Sequence, residues 1–397
     1  MFQKLVSRND DIKRLIEKGY AVAFDSNCLI VRDIPYLDAT GALQWGAFVA
    51  KIVFVDEEQI RQDDHQIYFA GSVPYNIDGT AVANLGGGET TFPLSDACAD
   101  FAIQRSFSNK PRQTGCHADF YENIESYSSL IAGPAIEKFS VSALTFRTVE
   151  QFQADAIFKF QDTLTTRAEI GNLSSKFSEE IIAIIGLGGT GAYVLDFLSK
   201  TPAKEVRAYD ADEFHVHNAF RSPGRLNADE LGKLKADVYS GRYDGFRHGL
   251  RCEAKFIDGE CEQDFRDVTF AFVCVDSGQA RGEIFALLLG LGIPFIDVGM
   301  GLKLREGALS GMMRTTFYSE ADGPKVRVLA LAETSENPDN LYRTNIQIAE
   351  LNALNASLAV LRYKQIRGFY FDESSFYHHL FEIGDMSGTG DSNPNEI

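Results

Sequence analysis

Between Ile181 and Asp210 the chain reads IIAIIGLGGTGAYVLDFLSKTPAKEVRAYD, and this stretch decides the fold. An apolar run, IIAII, leads into Gly186-Leu187-Gly188-Gly189-Thr190-Gly191, then an apolar helical segment, then a second strand-like piece that ends at Asp210. Strand, glycine turn, helix and strand in that order make a βαβ unit, which implies a parallel sheet. The glycines fit G-x-G-x-x-G in the context that the pattern needs, directly after a strand and opening a helix. Glycine serves the tight turn and lets the backbone approach a phosphate, while the free N–H groups and dipole of the helix N-terminus favour the anion. Asp210 stands about 20 residues past the turn, where an acidic side chain accepts from ribose hydroxyls. Gly186, Gly188, Gly189, Gly191 and Asp210 are thus candidate nucleotide-binding residues.

Further apolar strands follow at 268–275 (VTFAFVCV) and 294–298 (PFIDV), each with helix-like sequence nearby. This alternation predicts a doubly wound, Rossmann-like α/β domain with a mostly parallel sheet, spanning 181–383. Toward its end, NIQIAELNALNASLAVLRYKQIRG places Ile346, Ala349, Leu354, Leu358 and Leu361 on one broad face, predicting a long packing helix that stops at Gly368. Residues 384–397, GDMSGTGDSNPNEI, read as a disordered tail.

Upstream, the polar stretch 151–180 reads as a linker and 1–150 as a mixed α+β domain of unnamed role. Ile12, Leu15 and Ile16 have helical spacing. Four strand-like pieces follow, AVAF, CLIVR, AFVAKIVFV and QIYFAG, and then helical candidates around ACADFAIQRSF and AIEKFSVSALTF. The run Gly86-Gly87-Gly88 lacks the Gly-Lys-Ser/Thr of a phosphate loop and reads as a turn.

Composition bounds the partners. The 397 residues hold 38 Lys plus Arg against 56 Asp plus Glu, a net charge of −18, with 45% hydrophobic and 24% charged residues. That is a globular composition, long enough for two or three domains. So acidic a chain is not expected to bind nucleic acid generally, since phosphate neutralisation needs clustered Lys and Arg. No signal-like or membrane-spanning apolar run is present, so a cytoplasmic protein without membrane attachment is expected. The cysteines, Cys28, Cys98, Cys116, Cys252, Cys261 and Cys274, form no CxxC pair, which argues against a disulfide frame or a zinc knuckle.

Four residues beyond the glycine turn bear on the chemistry. Asn218 and Arg221 form N-x-x-R in HNAFRSPG, Lys235 lies in LGKLKAD, and Asp276 ends the strand FAFVCVD. The C-terminal ends of parallel strands share one sheet edge, so all four can converge on a phosphate chain. Hydride transfer has no evident use for Arg, Lys and a carboxylate gathered there. Phosphoryl or nucleotidyl transfer does, because cations offset charge developing on phosphates and a carboxylate holds Mg²⁺. His215 and His217 lack a third ligand and read as polar loop histidines.

The stretch from about Ala183 to Arg281 resembles the ThiF-type adenylyltransferases, the activating enzymes of ubiquitin-like modifiers and sulfur-carrier proteins. The resembling residues are GLGGTG at 186–191, YDADEFHVHNAFR at 209–221, GKLK at 232–235 and VCVDSGQAR at 273–281. The resemblance implies that ATP is joined to a C-terminal carboxylate, giving an acyl-adenylate and pyrophosphate. It implies that Gly186, Gly188, Gly189 and Gly191 line the phosphate turn and that Asp210 binds the ribose. It further implies that Asn218, Arg221 and Lys235 hold the phosphates and that Asp276 positions Mg²⁺. Lys235 is preferred to Lys233 by the family's G-x-x-K spacing. Asp212 faces either the site or solvent. Arg167 in TTRAEI is the positional candidate for an arginine that the family contributes from a helix before the first strand, often across a dimer interface; its alternative is an ordinary linker arginine. A homodimer and a ubiquitin-like or sulfur-carrier partner are the corresponding expectations.

The chain departs from the family where many members place a nucleophilic cysteine, since none follows Cys274. Cys274 lies within an apolar strand, as a small hydrophobe does. Cys116, followed by His117 and preceded by the basic stretch Lys110 to Arg112, is the weak alternative. The preferred reading is adenylation in this chain, with any thioester formed on a cysteine-bearing transfer enzyme. Competing readings are adenylation of a tRNA base or a peptide, a nucleotide-bound scaffold that recruits partners, and an NAD-dependent oxidoreductase.

Overall fold

The computed structural model describes residues 5–6, 8–25, 27–55, 59–91, 94, 100–111, 114–149, 156–160, 162, 164–165, 168, 170–335 and 346–392. The chain divides into two compact units, Met1–Gly171 and Asn172–Ile397.

In the first unit, α1 (Asp10–Lys18) buries Ile12, Leu15 and Ile16, as their spacing predicts. The strands β1 (Ala21–Asp25), β2 (Cys28–Leu37), β3 (Leu43–Phe54), β4 (Ile60–Gln62), β5 (Ile67–Ala70), β6 (Gly88–Glu89) and β7 (Arg105–Phe107) form an antiparallel sheet. Its order is β1-β2-β3-β5-β7-β6, with β4 on β3. Alternate residues divide between two cores. Val22, Leu29, Val31 and Phe48 pack with α1 and with α2 (Phe120–Phe139), whereas Ala23, Ile30 and Val49 face Ile103 and Val149. The helix expected around AIEKFSVSALTF begins at Phe120 and stops at Phe139, taking in AIEKF and leaving SVSALTF outside it. Asp119 starts it by accepting from the Glu122 N–H, and buried Asn123 and Ser128 interrupt its apolar face. Of ACADFAIQRSF, Arg105–Phe107 is a strand and not a helix, while 97–99 lie outside the described residues. Gly86 and Gly87 form a turn at φ 66° and 67°.

The second unit holds β8 (Ile181–Ile185), β9 (Glu205–Tyr209), β10 (Leu250–Glu253), β11 (Phe270–Val273), β12 (Phe295–Arg305), β13 (Ala308–Tyr318), β14 (His378–Glu382) and β15 (Ser387–Asp391). They pair in the order β10-β9-β8-β11-β12-β13-β14-β15. The first five run parallel and the rest are antiparallel. β8 shows why both faces must be covered. Ile182 and Ile184 enter a core with Leu195 and Leu198 of α3 (Gly189–Ser199), while Ala183 and Ile185 enter another with Ile284, Phe285 and Leu288. A strand buried on both faces reads as a continuous apolar run, and helices on both sides make the doubly wound α/β fold that the sequence predicts.

Two expectations are corrected here. The terminal helix, α7 (Ala349–Ile366), turns Asn352, Asn355, Ala356, Ala359, Val360 and Tyr363 inward. Leu361 is 46% exposed. The approach to α3 is so close that a Cβ on Gly189 would lie 2.1 Å from Asn352 Nδ2, which leaves no room for leucine at that contact. The tail expected to be disordered from 384 instead supplies β15, paired with β14 through backbone groups that need no apolar side chains. Residues 393–397 lie outside the described residues.

Candidate functional site

The loops that leave β8, β9 and β11 meet at one edge of the parallel sheet, where doubly wound folds bind ligands. The glycine turn connects β8 to α3, and its members differ in what they do. Gly186 lies at φ 92°, and a Cβ there would stand 2.9 Å from the Cys274 carbonyl oxygen. A Cβ on Gly191 would stand 1.9 Å from the Gly186 carbonyl oxygen, so this position keeps the turn and α3 in contact. Gly188 is the N-cap of α3 and has nothing within 4 Å of the place its Cβ would take. Its emptiness has no packing purpose; it suits a ligand that comes close to the helix N-terminus.

Asp210 follows β9 and is 9% exposed. Its Oδ2 accepts from the Leu187 N–H at 2.7 Å and its Oδ1 from the Asp212 N–H at 2.9 Å. The carboxylate therefore ties the turn after β8 to the turn after β9. Lys235 opens α5 (Lys235–Asp244) and is 5% exposed. Its Nζ donates to Asp212 Oδ2 at 2.6 Å and lies 3.4 Å from Asp210 Oδ1. So deeply placed a lysine needs these partners, because an unpaired buried ammonium is costly.

Between these elements lies α4 (Val216–Ala219), a single turn. Asn218 accepts from the His215 N–H through Oδ1 at 2.8 Å, so in this state its side chain caps that turn. Arg221 follows, and its Nε is buried with no hydrogen-bond partner. Asp212, Glu213, His215, His217, Asn218, Arg221 and Lys235 line a cavity of about 240 Å³. Desolvation and then the neighbouring Arg221, His215 and Lys235 hold the His217 pKa below the ordinary imidazole value. A cavity lined by the side chains of Lys235 and Arg221 offers two cations to a phosphate chain.

Asp276 sits beyond β11, just before α6 (Gly278–Gly290), and does not line this cavity. It is exposed and makes no hydrogen bond or ion pair among the described residues. A hard, uncommitted carboxylate beside the glycine turn fits Mg²⁺, which takes one or two carboxylates together with phosphate oxygens and keeps several waters. The structure thus brings Asp210, Asp212, Asn218, Arg221 and Lys235 together and sets Asp276 apart on the neighbouring loop. Arg167 lies outside the described residues. The His215 and His217 rings lie 5.7 Å apart between centroids, tilted by 39°, and no group of three metal-ligating side chains occurs among the described residues.

Sequence reasoning missed the support given by α7. Thr190, an unassigned position of the glycine motif, donates through Oγ1 to Asn352 Oδ1 at 3.0 Å and accepts from Asn355 Nδ2 at 3.3 Å. Asn352 Nδ2 in turn donates to the Arg221 carbonyl at 3.2 Å. The signal in the sequence was a pair of asparagines three apart among the alanines and leucines of 349–361. Among the thiols, Cys116 is exposed, and burial pushes the Cys274 pKa upward and the Cys252 pKa up to about 12. No helix among the described residues is long and apolar enough to cross a membrane.

Comparison with known proteins follows the division of the chain. Residues 10–163 match a domain of unknown function, DUF6791. No curated protein sequence matches. Among solved structures, PaaA is 17% identical with a TM-score of 0.44, covering 58% of this chain and 80% of its own. Escherichia coli MccB with ATP is 14% identical at 0.42, covering 55% and 65%. Escherichia coli tRNA N6-threonylcarbamoyladenosine dehydratase, TcdA, in complex with AMP, is 17% identical at 0.39, covering 51% and 92%. The present chain therefore spans just under two thirds of MccB. The profile of the ThiF family matches residues 153–392, more than half of the sequence and including every element of the nucleotide-binding edge, and the chain belongs to that family.

Proposed function

We propose that the protein is an ATP- and Mg²⁺-dependent adenylyltransferase that activates the C-terminal carboxylate of a ubiquitin-like or sulfur-carrier protein. One observation carries this reading: Arg221 and Lys235, from separate elements, reach a single cavity at the nucleotide-binding edge of a strongly acidic chain. In the reaction, a carboxylate oxygen attacks the α-phosphorus of ATP, the bond from that phosphorus to the pyrophosphate oxygen breaks, and acyl-adenylate and pyrophosphate result. No proton has to move, so alignment and charge stabilisation suffice.

The side chains divide the work accordingly. Gly188 leaves space at the α3 N-terminus, and Asp210 takes ribose hydroxyls while holding the Leu187 amide. Arg221 engages phosphate through its guanidinium, and Lys235 joins it by exchanging Asp212 for a phosphate oxygen. Asp276 holds Mg²⁺, which when bound offsets negative charge on the departing pyrophosphate. Asn218 shapes the turn between the two cations. Any thioester with the activated carboxylate then forms on a partner: Cys261 is buried, burial raises the thiol pKa of Cys252 and Cys274, and the exposed Cys116 is the alternative acceptor.

ATP–pyrophosphate exchange with carrier proteins ending in Gly-Gly tests this directly. Exchange that depends on the free carrier tail is expected, and Asp276→Ala is expected to abolish it without unfolding the protein. Exchange that needs RNA or a short peptide reassigns the acceptor. Tight NAD binding with no exchange refutes adenylation.

A further inference from the structure

The loop that carries Asp276 is tethered by a buried charged chain that the nucleotide cavity does not use. Asp297, on β12 opposite Val273, is fully buried. Arg281 of α6 donates from Nε to Asp297 Oδ1 at 3.0 Å, and Arg314 of β13 donates from a terminal nitrogen to Oδ2 at 2.5 Å. The remaining guanidinium nitrogens of Arg281 go to main chain. One donates to the Glu333 carbonyl at 3.0 Å, and the other makes a short bond to the carbonyl of Val275, the residue before Asp276. Arg314 donates as well to Thr316 Oγ1 at 2.9 Å, which lies 2.9 Å from His378 Nδ1.

Two guanidiniums on one carboxylate leave a net positive charge in a buried place. Desolvating each ion costs several kcal/mol, and apolar residues of similar volume fill such space at least as stably. Stability alone is therefore a poor account of the arrangement. What apolar residues cannot do is grip a carbonyl at a fixed point, and the point gripped is Val275. The start of α6, which follows the loop, is closely packed as well: a Cβ on Gly278 would lie 2.4 Å from the Ser335 carbonyl oxygen, and one on Gly282 would lie 2.6 Å from that of Thr334.

We propose that Asp297 and Arg281 are positioning residues that hold the 275–277 loop so that the Asp276 carboxylate is preset for a divalent cation beside the nucleotide. The inference rests on the adenylation reading above. Arg281→Lys separates the two roles of this arginine, because lysine keeps a cation beside Asp297 and loses the planar fork that reaches both carbonyls.

The test measures binding of Mn²⁺, by electron paramagnetic resonance of the free ion, to the full-length protein saturated with ATP. Arg281→Lys is expected to weaken Mn²⁺ binding about tenfold, and to raise the Mg²⁺ concentration for half-maximal exchange by a similar factor with the maximal rate recovered at high Mg²⁺. Metal-free ATP affinity should stay within twofold. In an Asp276→Asn background the same substitution should have no further effect on Mn²⁺. A folded Arg281→Lys protein with parental Mn²⁺ affinity overturns the proposal, as does equal loss of metal-free ATP binding. If Arg281→Lys does not fold, Arg314→Lys, which loosens the far side of Asp297, is expected to weaken Mn²⁺ binding two- to threefold, and no change there overturns the proposal. A parental protein that binds no ATP refutes the adenylation reading itself.

Discussion

Gly188 and Gly191 sit three residues apart in one motif, yet alanine at each is expected to do opposite things. At Gly188 the backbone is extended, φ −68° and ψ −157°, a conformation open to any residue, and no protein atom lies within 4 Å of the new methyl. The fold loses only the modest advantage of glycine over alanine at an N-cap, no more than about 1 kcal/mol. For a domain of this size that shifts the thermal midpoint by roughly 2–4 °C. The methyl does fill the space offered to phosphate, so ATP affinity should fall at least tenfold, about 1.4 kcal/mol. At Gly191 the methyl would lie 1.9 Å from the Gly186 carbonyl oxygen. Relief requires the turn and α3 to part by more than an ångström, and overpacking of that kind costs about 1–3 kcal/mol or more. Calorimetric titration with ATP and thermal unfolding, run on both variants, separate the effects. A Gly188→Ala protein that binds ATP within twofold of the parent refutes the assignment of that space to phosphate. One that unfolds as readily as Gly191→Ala refutes the steric reasoning.

Arg247 is 1% exposed and donates to the carbonyls of Leu198, Thr201, Ala203 and His248, closing the C-terminal end of α3. Arg247→Met orphans these acceptors and should lower unfolding free energy in urea by about 3 kcal/mol, and a loss below 1 kcal/mol contradicts the capping role. His217 shares its cavity with Asp212, Glu213, His215, Arg221 and Lys235, and desolvation first and then the cations among them favour its neutral form. A phosphate chain reverses that preference and raises the pKa, so ATP binding takes up a proton and tightens as pH falls. Affinity should rise about two- to threefold from pH 8 to pH 6, the range of an exposed ion pair. Titration of His217→Asn should show a flatter profile, and an unchanged profile removes His217 from the account.

The second unit was legible because burial on both faces and the glycine turn are local signals. IIAII and FAFV are apolar throughout, and the loop residues Asp210, Asn218, Arg221 and Lys235 lie close together in sequence. What escaped depends on partners distant in the chain. Asn352 and Asn355 look polar until Thr190, more than a hundred residues earlier, is placed against them. The leucines of α7 carry its apolar period without forming its closest contact, because apolar periodicity does not reveal how closely two helices approach. Arg281 stood within the VCVDSGQAR stretch, yet its buried acceptor, Asp297, appeared only as the end of a strand. β15 escaped because a hairpin edge is held by backbone pairing, which leaves no imprint on hydropathy.

The bond from Thr190 to α7 also sets an order of assembly. A chain emerging from the ribosome presents the glycine turn and the whole of β8, β9 and β10 long before Ala349–Ile366 has been made. Until that helix arrives, Thr190 lacks its amide partners and the α3 side of the sheet lacks Ala356, Ala359 and Tyr363. The nascent domain therefore carries its signature motif on an uncovered apolar face, the state in which a folding intermediate is exposed to chaperones and to aggregation. A premature stop before residue 349 leaves the motif intact in the polypeptide and the nucleotide-binding edge unfinished.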